Sequence, residues 1–423
     1  MIKDSKQRLF EMMNKVGGMP LIESVISETS EQYPPGFSAD DSMSLDDYVK
    51  QCSLQEEDNP NLAGISVDKD MTFDDVVNAR KSGTYRGNTP YIHNSTINKI
   101  QVVDENGKHI SEEEFRKLTT IRPLKILGTN TKVGKTNIEK ISLPAYKGLY
   151  YDEHFPVGDR IRVINVCQNA GGCKIYCFQQ KGNPVIWENS SLDRTRILNF
   201  LINHYDAFKS KLLNEILDAE ALNDKKGLKT IIRWHDSGDF ISERYLGIAI
   251  DIANNTPNVL HYAYTKMVGY VKKYAQEHEE GLPSNFIFRY SVDADAPEND
   301  LINRKEDLYA DVVSKELYKP YMHTVKVPVI DPKTGKQKMA KNTKKELKPV
   351  FDTVYRYNSE KALKAFKEKM GEVYDIEPSS ILTFNEMPED EGQPNQYNVI
   401  VTPSDADTAA HRRDVLGVYL LEH

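Results

Sequence analysis

The feature that most constrains this 423-residue chain is an alternation of texture between residues 158 and 320. Short β-branched or aromatic runs stand at IRVINV (161–166), TIIRW (230–234), VLHYAYT (259–265) and NFIFRYS (285–291). Helix-like stretches follow them: 192–222, the segment opening at Ser242 (ISERYLGIAIDIAN), MVGYVKKYAQEHE, and 299–316. The later strands recur roughly 27–28 residues apart, the spacing of βα units and of a parallel sheet. The predicted class is therefore α/β, a partial or complete (β/α) barrel with parallel strands. Sheets of this kind gather their chemistry on the loops at the carboxyl ends of the strands. Four loops should then meet: the cysteine-bearing loop after residue 166, HDSGDF, Thr265-Lys266, and SVDAD.

The flanks read differently. Residues 1–90 are rich in Ser, Asp and Glu and predict an acidic, weakly structured arm before a core at 91–320. Residues 321–423 predict an α+β extension: a Lys-rich hairpin turning at DPKTG, a helix (SEKALKAFKEKMGEVY), the strand NVIVT, and a charged, helix-like tail (AAHRRDVLGVYLLEH). Ser111-Glu112-Glu113-Glu114 has the spacing of a capping box at a helix start. The Lys-rich hairpin reads as a solvated face, since no aromatic interrupts it to stack on bases. The formal charge of −8 excludes a globally basic nucleic-acid binder. No apolar run approaches the ~18–20 residues of a membrane span. The start, MIKDSKQRLFEMMNK, lacks the apolar stretch of a signal peptide. The expectation is a protein of the cytoplasm, with no membrane partner.

Of four cysteines, Cys167, Cys173 and Cys177 fall within eleven residues, while Cys52 lies far away. A tight cluster in a chain without a secretory signal points to metal rather than to a disulfide framework. Gly171 and Gly172 soften the loop, so that main-chain amides can turn toward inorganic sulfur. Three thiolates with one open metal position suit a [4Fe–4S] cluster. Zinc is the alternative, since a histidine such as His204 or His235 would complete a Cys3His set.

His235-Asp236-Ser237-Gly238-Asp239-Phe240 puts unusual polar density at a strand end. Gly238 permits close backbone approach, and Asp239 can receive an ammonium or hydroxyl group; either Asp239 or Ser242 can equally cap the helix behind. At the next strand end Tyr262, Tyr264, Thr265 and Lys266 offer rings and a cation, although alternating core tyrosines give the same pattern. The loop after NFIFRY supplies Ser291, Asp293 and Asp295 without the glycine and glutamate of a calcium loop.

In order along the chain, CQNAGGCKIYCFQQKG, Asn199-Phe200, IRWHDSGDFISERYLGIAIDIA and HYAYTK resemble the phage gene product 88 domain family over roughly 160–295. That resemblance implies a phage or mobile-element origin, hence the host cell's cytoplasm, and no particular activity. The layout is also similar to radical S-adenosylmethionine enzymes, where a three-cysteine loop follows the first barrel strand and a Gly-Gly-Glu-like segment ends the second. Here five and three residues separate the cysteines, in place of the three and two of that family. By that analogy Cys167, Cys173 and Cys177 hold the cluster, while Ser237, Gly238, Asp239 and Ser291 hold S-adenosylmethionine. His235, Asp236, Tyr264 and Lys266 then face a nucleotide or nucleic-acid substrate. Two other functions fit the same residues. One is a non-enzymatic, metal-stabilised module that binds nucleic acid or protein. The other is a hydrolase or nuclease using His235, Asp236 and Asp239 with Mg2+ or Zn2+.

Overall fold

The computed structural model describes residues 59–68, 75, 111–129, 137–173, 188–293, 295–331, 334–341, 346–402, 405 and 409–422. Most of the arm expected at 1–90, and Cys52 and Cys177, lie outside these residues.

Its centre is a nine-stranded sheet. In spatial order the strands are β1 (Gly128–Thr129), β2 (Ile138–Lys140), β5 (Ile231–Trp234), β6 (Leu260–Thr265), β7 (Phe286–Ser291), β8 (Tyr309–Val313), β15 (Val415–Leu421), β14 (Tyr397–Val401) and β13 (Ile381–Thr383). All but β1 run parallel. The parallel α/β class is as expected. No ladder joins β1 to β13 among the described residues, so the sheet keeps two edges there.

Parallel strands are buried on both faces, and the side chains sort accordingly. On one face Ile232, Trp234, Ala263, Phe286 and Phe288 pack under α2 (Glu188–Asn203), α3 (Tyr205–Asp224), α4 (Glu243–Asn254) and α5 (Val268–Glu277). Farther along, Tyr309, Tyr419 and Leu421 pack with Phe366 and Met370 of α7 (Glu360–Tyr374). On the other face Ile231, Tyr262 and Ile287 meet Ala410, while Val399, Val415 and Val418 meet Ala409. No helix among the described residues is long and apolar enough to cross a membrane.

Three expectations fail for identifiable reasons. IRVINV does form a strand, β4 (Ile161–Asn165), but it pairs antiparallel with β3 (Lys147–Tyr151) in a separate hairpin. The place beside β5 belongs to β2. Second, the tail read as a helix contains β15, whose continuous VLGVYLL run is the mark of a strand buried on both faces. Gly417 lets its neighbours close in, since a Cβ there would stand 2.5 Å from Asn398 Oδ1 and 2.8 Å from the Tyr309 ring. Third, within 299–316 a single 3-10 turn (Asn299–Leu301) precedes β8, and the short helix α6 (Lys315–Tyr318) begins only at the end of that span. The 192–222 stretch is two helices, α2 and α3, meeting at His204.

Other local expectations hold. Ser111 and Glu114 close the capping box of α1 (Glu112–Thr119), and Ser242 caps α4. Part of the expected arm is ordered too: Val67 bridges Ile164, and Ile65 enters the main core. Asn199 of α2 continues the ladder of β3 with its side chain. Its Oδ1 accepts from Tyr151 N at 2.8 Å, and its Nδ2 donates to Leu149 O at 3.0 Å. Asn199→Leu should cost about 2–4 kcal/mol in urea denaturation, because a buried N–H and C=O would lose their partners. A loss under 0.5 kcal/mol, the range of a neutral surface change, would refute this pinning role.

Candidate functional site

The loops ending β5, β6 and β7 do meet, and the cysteine loop closes over them. Gln168 Nε2 donates to Ile241 O at 2.8 Å and Asn169 Nδ2 to Lys266 O at 3.1 Å. The Cys173 amide donates to both carboxylate oxygens of Asp293, at 2.9 and 2.7 Å. Cys167 is held from the side of the β3 hairpin. Its Sγ accepts the Tyr146 amide at 3.2 Å, and the Val166 and Cys167 amides both donate to Tyr146 O. Tyr146 adopts a left-handed backbone, φ 64°, to present that amide. An amide aimed at sulfur is the contact that stabilises a thiolate or tunes a thiolate-bound cluster.

Lys266 is the charge at the centre. Its Nζ donates to Ser291 Oγ at 3.3 Å. Burial alone would push this ammonium down, but the charges of Cys173, Asp293, Asp239 and Cys167 together hold it above the ordinary lysine value. The two described cysteines of the loop thus share the field of one protonated amine.

Asp239 fixes the turn that carries this lysine. Oδ1 accepts from Thr265 Oγ1 at 2.7 Å and Phe240 N at 2.8 Å, and Oδ2 accepts from Lys266 N at 2.8 Å. Burial raises its carboxyl, against those three donors and the lysine charge. Ser237 donates to Leu143 O. What approaches Gly238 (φ 83°) is the protein itself: a Cβ there would lie 2.7 Å from Leu143 Cβ and 3.2 Å from Pro144 O. In this structure Ser237, Gly238 and Asp239 therefore bind neighbouring segments of the chain.

The four residues expected to face a substrate separate. Lys266 lies at the cysteine loop. His235 (φ 59°) is buried in an aromatic cluster, its Nε2 3.0 Å from Tyr245 Oη and its ring 4.6 Å from that of Phe240. Burial drives its pKa to about 3, outweighing nearby Asp236. Asp236 pairs with Lys140 and accepts from Ser142; burial would raise its carboxyl, but these partners and Arg233 hold it below the usual range. Tyr264 projects from the sheet face opposite Thr265 and lies under the Arg233 guanidinium, 5.3 Å from ring centre to charge. Nothing local in the sequence marks Lys140, Ser142 or Tyr146 as partners of this region. Gln168 and Asn169, by contrast, stand inside the cysteine motif.

Among the described residues no three His, Cys, Asp or Glu side chains are arranged to hold a metal ion. Neither His204 nor His235 joins Cys167 and Cys173 in such a set. The strand before the cysteine loop also lies outside the parallel sheet, so the topological likeness to radical S-adenosylmethionine enzymes is not found.

A family model described as Gene product 88 matches residues 123–351, more than half of the chain. The match spans the cysteine loop, the HDSGDF turn and Lys266. No curated protein and no solved structure matches the chain. With the motif order and the family match in agreement, the chain belongs to the gene product 88 family.

Proposed function

We propose that Cys167, Cys173 and Cys177 ligate a [4Fe–4S] cluster at the carboxyl ends of β5, β6 and β7. The observation that carries this reading is the shared environment of Cys167 and Cys173: one lysine ammonium acts on both sulfurs, and a main-chain amide donates to one of them. Thiolates and a cluster bring negative charge into the site, and Lys266 offsets it. Three cysteine ligands leave one iron open to a small molecule that offers an amine and a carboxylate, S-adenosylmethionine being one such molecule. A nucleotide is the substrate class expected of a phage protein carrying that chemistry.

Protein purified without oxygen should be brown, with about four iron and four sulfide per chain. Cys173→Ala should lose colour and iron while keeping its far-ultraviolet circular dichroism. Lys266→Met should retain iron but move the reduction potential downward, because a positive charge beside the cluster is removed. Colourless protein carrying one zinc would replace iron with zinc; protein without metal in either form would remove the centre altogether.

A further inference from the structure

The Lys-rich segment is more than a hairpin. β9 (Met322–Pro328) pairs antiparallel with β12 (Phe351–Tyr357) through seven cross-strand pairs, making a ribbon about 23 Å long at ~3.3 Å per residue. Beyond it β10 (Met339–Lys341) pairs with β11 (Leu347–Pro349), and Ile330 bridges Gln337. The base is anchored by rings: Tyr355 lies 6.1 Å from Tyr318, and Tyr357 6.2 Å from Phe366 of α7. Farther out one face, with Thr324, Lys326, Pro328 and Thr353, is exposed; on the other Asp352 is exposed and Val325, Val327 and Val354 are half-buried. Lys336, Lys338 and Lys348 are exposed as well.

A two-stranded ribbon without a core beneath it is only marginally stable on its own. This one also leaves Ile330, Met339, Leu347 and Phe351 between 47 and 62% exposed. Its charge is opposite to that of the molecule. Residues 322–357 carry nine cations against three carboxylates, +6, so the remainder sums to −14 in a chain whose total is −8. Among the described residues Lys326, Lys336, Lys338 and Lys348 make no ion pair.

We infer that this ribbon is an arm that enters the major groove of duplex DNA. The B-form major groove, about 12 Å wide, admits a two-stranded β-ribbon, whereas the major groove of A-form RNA is too narrow for side chains to read. Lysines along the ribbon would meet phosphates, and the exposed apolar side chains would meet thymine methyls and sugars. The absence of an exposed row of stacking rings among the described ribbon residues favours duplex over single strand. An acidic body keeps phosphates off the rest of the molecule and orients the encounter.

The test is fluorescence anisotropy of the full chain with a 30-base-pair duplex DNA, the same duplex as RNA, one DNA strand alone, and polyglutamate. Duplex DNA should bind with a dissociation constant in the micromolar range and with log K falling by about 4 per decade of salt. Lys336→Glu, Lys338→Glu and Lys348→Glu together should weaken it at least ~30-fold and flatten the slope by about 3. Replacing residues 329–350 by Asn-Gly, which keeps the β9–β12 pair, should do the same. Failure to bind DNA, equal affinity for duplex RNA, single strand or polyglutamate, or full affinity in both variants would overturn the inference. None of these readings depends on the metal content of the preparation.

Discussion

Arg289→Met should leave little folded protein, and Arg289→Lys should lose several kcal/mol in chemical denaturation. Arg289 stands in β7, fully buried. Its Nε donates to Ala410 O at 3.1 Å, Nη1 to Tyr309 O and Leu416 O at 3.1 and 3.0 Å, and Nη2 to Arg412 O and Val415 O at 3.1 and 3.0 Å. A guanidinium has five N–H donors, and each here meets a different main-chain carbonyl. The residue therefore ties β7 to β8, to the start of β15 and to the segment that leads into it. β7 and β8 share only two paired positions, Tyr290 with Tyr309 and Ser291 with Ala310, so the side chain completes the join. Methionine would remove all five donors, at about 1–3 kcal/mol for each carbonyl left buried without another. Lysine supplies three donors and cannot reproduce the planar fork. Arg289→Met with a near-native denaturation midpoint would show that these contacts contribute little.

Acid should weaken the fold well before its carboxylates titrate, with His261 as one source. The indole of Trp234 only donates, so His261 Nδ1 accepts from it at 3.2 Å. Nε2 must then carry the proton and donate to Thr256 Oγ1 at 2.9 Å, while that hydroxyl donates to Ile252 O at 2.7 Å. A second proton would have to sit on Nδ1, facing the indole N–H. Burial lowers the pKa to about 3, against about 6.5 in the unfolded chain. A depressed pKa contributes stability that is present above about pH 6.5 and is lost as pH falls toward 3. At pH 5 the loss from this residue is about 2 kcal/mol, and His235 acts in the same direction. His261→Asn keeps an acceptor for the indole but no titrating group. Its stability should drop by about 2 kcal/mol less than that of the parent protein between pH 7 and pH 5. An equal drop in both proteins would exclude His261 as the source.

Local pattern carried the strands far better than their partners. TIIRW, VLHYAYT, NFIFRYS and NVIVT are strands because each is a short β-branched or aromatic run closed by turn residues. The helix after Ser242 and the one after Ser359 were legible from their caps and apolar periodicity. The neighbour of β5 was not legible, since IRVINV is the stronger apolar run while IEK, with two charged residues of three, gives almost no strand signal, yet it is IEK that pairs. The same limit applies to the site. The meeting of the loops after β5, β6 and β7 followed from the βα rule; the cysteine loop joins them although its own strand lies outside the parallel sheet, and the pairing of Asp236 with Lys140, 96 residues away, has no local signal. Gly238 was readable as a close approach; that the approaching group is Leu143 and Pro144 was not.

The position of β15 has a consequence for how the molecule is made. It follows every other described strand in the chain, yet it sits inside the sheet between β8 and β14. A nascent chain that has emerged only as far as Asp414 holds two incomplete half-sheets, each exposing a raw hydrogen-bonding edge to other chains. Insertion of those seven residues turns the halves into one continuous layer. Ribosome stalling or proteolytic trimming just upstream of Val415 should therefore yield sticky, aggregation-prone fragments rather than a smaller working protein.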